Sequence, residues 1–286
     1  MRGIRSENGY MNYKNIKLIV LDLDGTLLSD EGTIGEKSKK YTKLLKEKGV
    51  IISFASGRMF SALNRYAEEL QIEAPLICSD GAVLKHFPSG ELIERTYLKP
   101  AKVERGINLS EKFLVKMVLC TEKNVLYTEH NEASVQLIDR FGAEFQKVDN
   151  YHKYLDEIVE IVYVGENRES LREIKKNFSF PYSFGLKVNY SKSQSHRLYY
   201  LEVKKEKVSK AIALKKLLKK LRISIKDTVV VGDWYNDVEL FKTKAVKVSL
   251  SNAVPEIKFL SDEKLEFSNN DDGVGELLEK IYNQKN

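Results

Sequence analysis

Two carboxylates one residue apart, Asp22 and Asp24, close the apolar run in LIVLDLDGTLLSD (residues 18–30), with Gly25 and Thr26 directly behind them. Asp and Gly are ordinary turn residues, so an acidic turn after a strand is one reading. A metal and phosphoryl-transfer site is the other, and the rest of the chain weighs between them. A second apolar run, TVVVGD, ends in Asp233 and continues through WYND to Asn236 and Asp237. Two more runs end in Ser56-Gly57-Arg58 and Ser79-Asp80-Gly81. If the four runs are strands of one parallel sheet, their loops crowd one edge, because ligands sit beyond the carboxyl ends of such strands. Carboxylates this close repel unless a cation offsets them. Asp22, Asp233 and Asp237, with a backbone carbonyl, form an oxygen-rich nest suited to Mg²⁺. Ser56 and the main-chain N–H groups around Gly25 and Gly57 can hold phosphate oxygens, since glycine permits close backbone approach. Lys210, opening a helix, can neutralise the remaining phosphate charge.

Positioning these residues requires strands that alternate with helices, the pattern of a parallel sheet covered on its faces. KLIVLD (17–22), VIISFAS (50–56) and PLICS (75–79) read as strands, with helices around 36–48 and 60–70. Near Lys85 the style changes to segments such as EIVEIVYV (157–164) and LKVNYS (186–191), separated by helical patterns near 100–111, 131–141 and 168–178. After about Ser195 the first style returns with RLYYLEV, TVVVGD, AVKVSL, LEFSNN and a closing helix from Val274 to Tyr282. The expected architecture is α/β: a Rossmann-like parallel-sheet core, discontinuous over 15–84 and 196–286, interrupted by an inserted α/β cap over 85–195. Residues 1–14 are expected to form a flexible extension, with Met11 an alternative start to Met1.

Composition narrows the classes. Two cysteines, Cys78 and Cys120, lack Cys-x-x-Cys spacing, so a zinc site or disulfide framework is not expected and a reducing cytoplasm is the default compartment. No apolar run approaches the roughly 20 residues that span a bilayer, so no membrane partner is expected. Lys204 to Arg222 holds nine basic residues against one acid, Glu206. Nucleic-acid binding is one reading of that excess. Yet Val208, Ile212, Leu214, Leu217, Leu218 and Leu221 recur at helical spacing with the lysine pairs mostly opposite, and no aromatics interleave to stack bases. A solvated helix face is the expectation, with no nucleic-acid partner. His86, His130, His152 and His196 show no ligand spacing, and Trp234 and Tyr235 read as packing residues or as an entrance lining.

DLDGT, ASGR, VSK (208–210) and GDWYND, in that order, resemble the four motifs of the haloacid dehalogenase-like phosphohydrolases. The insert between the second and third, with the tail VSLSNAVPEIK…FSNNDDGV, is similar to the Cof-type subgroup and its large α/β cap (subclass IIB). The resemblance spans roughly residues 16–284. It implies that Asp22 is a nucleophile forming an aspartyl-phosphate and that Asp24 is the acid and base beside it. Ser56 and Lys210 would bind the phosphoryl group, with Gly25 and Gly57 beside it. Asp22, the Asp24 carbonyl, Asp233, Asn236 and Asp237 would hold or orient Mg²⁺. The family commonly has glycine where Ala211 stands, and asparagine where Asp80 stands. Arg58 and Asp80 are candidate substrate contacts, with surface pairing and turn formation as their alternatives. The implied function is Mg²⁺-dependent hydrolysis of small phosphorylated metabolites of the phosphosugar type. The alternatives are a phosphotransferase or phosphomutase, and a non-catalytic phosphometabolite-binding protein that could dispense with Asp24.

Overall fold

The computed structural model describes residues 11–129, 144–179, 181, 184–192 and 197–285. The first half of the chain runs β1 (Leu18–Leu21), α1 (Glu36–Glu47), β2 (Ile51–Phe54), α2 (Phe60–Glu69), β3 (Pro75–Cys78), β4 (Val83–His86), β5 (Leu92–Arg95), α3 (Pro100–Phe113), β6 (Lys116–Cys120) and β7 (Asn124–Tyr127). It continues with β8 (Glu144–Lys147), β9 (Glu160–Gly165), α4 (Arg168–Asn177), β10 (Leu186–Lys192) and β11 (Tyr199–Lys205). The last third runs α5 (Lys210–Leu221), β12 (Thr228–Val231), α6 (Val238–Phe241), β13 (Val246–Ser249), α7 (Pro255–Leu260), β14 (Glu263–Lys264) and α8 (Gly273–Gln284). The helical pattern expected near 131–141, with His130 and His196, lies outside the described residues.

Two compact units result: one holds the chain up to Gly57 with Leu63–Ile93 and everything from Ser209, the other holds Arg58–Ala62 and Glu94–Val208. In the first, β14-β13-β12-β1-β2 form a sheet whose paired strands are all parallel. β1 sits inside it, and LIVL is buried at every position, as a strand covered on both faces requires. A parallel bridge from Ala55 to Ile77 sets β3 beside β2, and β4 returns antiparallel to β3. Leu18, Val20, Ile77 and Val230 pack with Leu214 and Leu217 of α5 and with Ile257 of α7. Each such side chain contributes about 1.5–3 kcal/mol on burial. Asp272 ties the ends of this unit together: its carboxylate caps α8 at the Gly275 N–H and also accepts from the N–H groups of Lys37 and Ser38 in α1.

The second unit is a six-stranded sheet, β10-β11-β9-β6-β7-β8, antiparallel except between β7 and β8. Ile161 and Tyr163 alternate along β9 to meet α3 and α4 through Val103, Ile107, Leu171 and Ile174. The preceding Glu160 is buried against Lys204, with N···O 3.3 Å.

Four expectations change. RLYYLEV does not join the core sheet: β11 pairs antiparallel with β9 and β10, which moves the second division to 208/209. The first falls at 93/94, because β4 pairs with β3 and β5 follows beside β4 in one three-stranded sheet. LEFSNN is not a strand; only Glu263–Lys264 pairs at that edge. Residues 11–14 are not loosely held, since Tyr13 is fully buried and its hydroxyl donates to Glu263 at 2.5 Å. Among the described residues no helix is long and apolar enough to cross a membrane.

Candidate active site

The parallel register fixes where the acids emerge. β1 and β12 pair in step from Leu18↔Thr228 to Leu21↔Val231, so Asp22 and Asp233 leave adjacent strand ends. The Asp22 N–H still donates to the Val231 carbonyl at 3.0 Å, which holds the residue rigidly at the sheet edge. Beyond it the chain doubles back: Leu27 N–H donates to the Asp22 carbonyl and Leu28 N–H to that of Leu23. Gly25 stands at the corner with φ +72°, where a Cβ would collide with the Asp233 carboxylate, so only glycine fits. Thr26 Oγ1 donates to Asp233 Oδ1 at 3.0 Å.

Lys210 is the centre of the site. Ser209 caps α5 by accepting from the Ile212 N–H, which makes Lys210 its first helical residue. A Cβ at Gly81 would strike the Ser209 carbonyl, so the Ser79–Gly81 turn packs directly on this helix start. The lysine is completely buried, with Nζ 3.0 Å from Asp22 Oδ1 and 2.8 Å from Asp237 Oδ1. The other Asp237 oxygen accepts from the N–H groups of Asp233 and Trp234, at 3.2 and 3.4 Å. Asp22, Asp233 and Asp237 each present an oxygen within 4.8 Å of the others.

Three buried carboxylates around one ammonium would leave two negative charges unbalanced if all were ionised. Burial pushes the Asp22 carboxyl well above its usual range, and Asp237, Asp233 and Asp24 push it further against the opposing pull of Lys210. Burial and the neighbouring Asp237 likewise push Asp233 up to about 7. For Lys210, burial works against the charged form, but Asp22 and Asp237 reverse it and the ammonium is held above its ordinary range. A hard divalent cation matches this donor set in both charge deficit and oxygen chemistry. A stability consequence follows. Between the ordinary carboxylate value of 3.8 and about 7, Asp233 keeps its proton when folded and loses it when unfolded. The native state then binds more protons, so stability falls as pH rises through that window. The metal-free protein should lose thermal midpoint between about pH 4 and about pH 7, and Mg²⁺ should raise it more at the higher pH. Scanning calorimetry with and without EDTA measures both; a Mg²⁺ shift independent of pH would contradict the charge argument.

The remaining predicted residues lie around this centre to differing degrees. Ser56 is fully buried at the end of β2, its N–H on the Ile77 carbonyl. Asp24 is exposed in the turn after Asp22. Asp80 occupies a left-handed position, φ 53°, and its Oδ1 accepts from Asn236 Nδ2 at 3.0 Å, which links two loops the sequence analysis treated separately. Arg58 is half-buried and groups with the second unit, whereas the carboxylate cluster belongs to the first. Thr26 lies within DLDGT and Asn252 within VSLSNAVPEIK, but the sequence reading gave neither a role; Asn252 Nδ2 donates to the Gly25 carbonyl at 2.7 Å. The available signal was an asparagine shortly after the β13 strand end, at the same sheet edge as the acids.

A model of the haloacid dehalogenase-like hydrolases matches residues 19–278. Two Bacillus subtilis relatives, YitU and YcsE, both named 5-amino-6-(5-phospho-D-ribitylamino)uracil phosphatases, are 25% and 26% identical; 93% and 92% of this chain covers 97% and 95% of theirs. A solved Thermotoga maritima structure superposes with TM-score 0.82 at 26% identity, covering 93% of this chain and 97% of that one. A Bacteroides thetaiotaomicron haloacid dehalogenase-like hydrolase, 22% identical, shares the fold at TM-score 0.82, covering 93% and 99%. With the buried acid–lysine cluster at the ends of parallel strands and a family match running from β1 into α8, the chain belongs to the haloacid dehalogenase-like hydrolases.

Proposed function

We propose that this protein is a Mg²⁺-dependent phosphatase of small phosphorylated metabolites. The observation that carries the reading is Lys210, buried between Asp22 and Asp237 with Asp233 alongside. An Asp22 oxygen attacks phosphorus, forming an Oδ–P bond as the P–O bond to the alcohol breaks. Asp24, exposed in the turn beside it, gives its proton to the departing oxygen. It then takes a proton from the water whose oxygen attacks the aspartyl-phosphate, releasing inorganic phosphate and restoring Asp22. Lys210 balances charge on the transferred group and aligns Asp22, while Ser56 donates to a phosphoryl oxygen. Asp22 and Asp233, with Asp237 and the Asp24 carbonyl in support, would hold the cation; Asn236 orients that group through its link to Asp80. When bound, Mg²⁺ supplies positive charge against the carboxylates and the phosphoryl oxygens.

The second unit is read as a cap that selects substrate, with Arg58 as a contact. Small phosphomonoesters are favoured as substrates because two of the matched phosphatases are named for one such metabolite. The test is a panel of phosphorylated metabolites, sugar phosphates included, assayed with Mg²⁺ and no acceptor alcohol. Inorganic phosphate should appear, stop on EDTA addition and resume with excess Mg²⁺. Turnover that survives EDTA, or transfer that occurs only to an added sugar hydroxyl, would overturn the reading.

A further inference from the structure

Asn252 is exposed in the loop after β13, yet both ends of its side-chain amide are engaged. Its Nδ2 donates to the Gly25 carbonyl at 2.7 Å, and its Oδ1 accepts from the Asn269 N–H at 3.1 Å. Asn269 is buried, and its own Nδ2 donates to the Leu28 carbonyl at 3.0 Å and to Asp30 Oδ1 at 3.1 Å. Two asparagines from the C-terminal part of the chain therefore grip both limbs of the turn that carries Asp24. The turn's own backbone bonds are short-range, from the N–H groups of Thr26 and Leu28 to the Leu23 carbonyl and from that of Leu27 to the Asp22 carbonyl, and the Thr26 hydroxyl anchors the far side of the corner to Asp233. Gly25, with φ +72°, is its most permissive joint, because glycine populates many backbone conformations at little cost. The Asn252 bond falls on that joint.

We propose that Asn252 is a positioning residue for proton transfer by Asp24: by fixing the Gly25 peptide, it sets the direction from which the neighbouring carboxyl meets the leaving oxygen. The inference rests on the phosphatase reading above. It differs from a merely structural role in one respect. Loosening the Gly25 joint misplaces the proton donor but leaves Asp22, held by β1 and Lys210, where it was. Loss should then scale with how much the leaving group needs a proton. A 4-nitrophenolate departs readily without one, whereas phenolate needs it more.

The experiment compares kcat/KM, which reports steps up to aspartyl-phosphate formation, for 4-nitrophenyl phosphate and phenyl phosphate with Mg²⁺. The proteins are the full-length wild type, Asn252→Ala and Asp24→Asn. Asn252→Ala is expected to lose roughly tenfold on phenyl phosphate and under about threefold on 4-nitrophenyl phosphate, part of the effect of deleting a general acid. Asp24→Asn should show the same selectivity more steeply. Equal loss on both substrates, or loss on neither, overturns the positioning role. If Asp24→Asn itself fails to discriminate, Asp24 is not the acid and the underlying reading falls with it, which is a separable outcome.

Discussion

Asp22→Asn should abolish phosphate release, by about 10⁴-fold or more, the scale on which a covalent nucleophile acts. The substitution is nearly isosteric, so the backbone bond from the residue 22 N–H to the Val231 carbonyl and the packing of β1 survive. What disappears is the oxygen lone pair proposed to attack phosphorus, together with one carboxylate of the buried cluster. The replacement amide cannot form an acyl-phosphate, so mass spectrometry of enzyme quenched during turnover should show a phosphoryl adduct on the wild type and none on the variant. Because the Asp22 carboxyl is held well above its ordinary range by burial and its acidic neighbours, removing its charge should not lower the thermal midpoint of the metal-free protein. The midpoint gain on adding Mg²⁺ should shrink. Activity within about tenfold of wild type would eliminate Asp22 as the nucleophile.

Lys210→Met carries the second large effect, and it acts on fold and chemistry together. The lysine ammonium contacts Asp22 and Asp237 in a fully buried position. Removing one partner of a buried ion pair costs about 3–5 kcal/mol, because the charge left behind has neither water nor counter-ion. The activity loss should be about 10²- to 10³-fold, comparable to deleting a preorganised charge-stabilising donor. A double variant separates the two effects. Lys210→Met with Asp237→Asn removes one stranded carboxylate, so part of the lost stability should return in urea unfolding. Activity should not return, since the proposed mechanism then has nothing to balance charge on the transferred group. Recovery of activity in the double variant would mean that Lys210 serves the fold alone.

Much of the site was legible because its chemistry sits at strand ends, and strand ends are local. A buried run of four to six apolar residues stopped by an acid or a Ser-Gly pair announces both the strand and the residue it presents. Asp22 follows such a run directly, Ser56 follows one broken by Ser53, and Asp80 and Asp233 follow shorter runs one residue later, after Ser79 and Gly232. Lys210 was the hardest to read from composition alone. It lies in a segment holding nine basic residues, and the motif order, with VSK between ASGR and GDWYND, is what distinguishes it from solvated neighbours such as Lys215 and Lys216. RLYYLEV was misread for the opposite reason. Its apolar pattern suits either sheet, and the partner that decides, β9, lies some distance back in the chain. Tyr13 was missed because the polar residues around it resemble a tail, while its N–H is held by Gln284 and its hydroxyl by Glu263, both near the far end of the chain.

By itself, then, the sequence determined the α/β alternation, the order of the motifs and the chemical type of each group at the sheet edge. Those depend on periodicity and on side-chain identity within a few residues. The tertiary structure alone decided that Lys210 stands between Asp22 and Asp237, that β11 pairs outside the core sheet, and that Asn252 reaches the Gly25 carbonyl. Each of these is a contact between distant parts of the chain. Parallel strand register brings the acids to the same few ångströms, and burial there turns ordinary carboxylates and an ordinary lysine into a strongly coupled cluster.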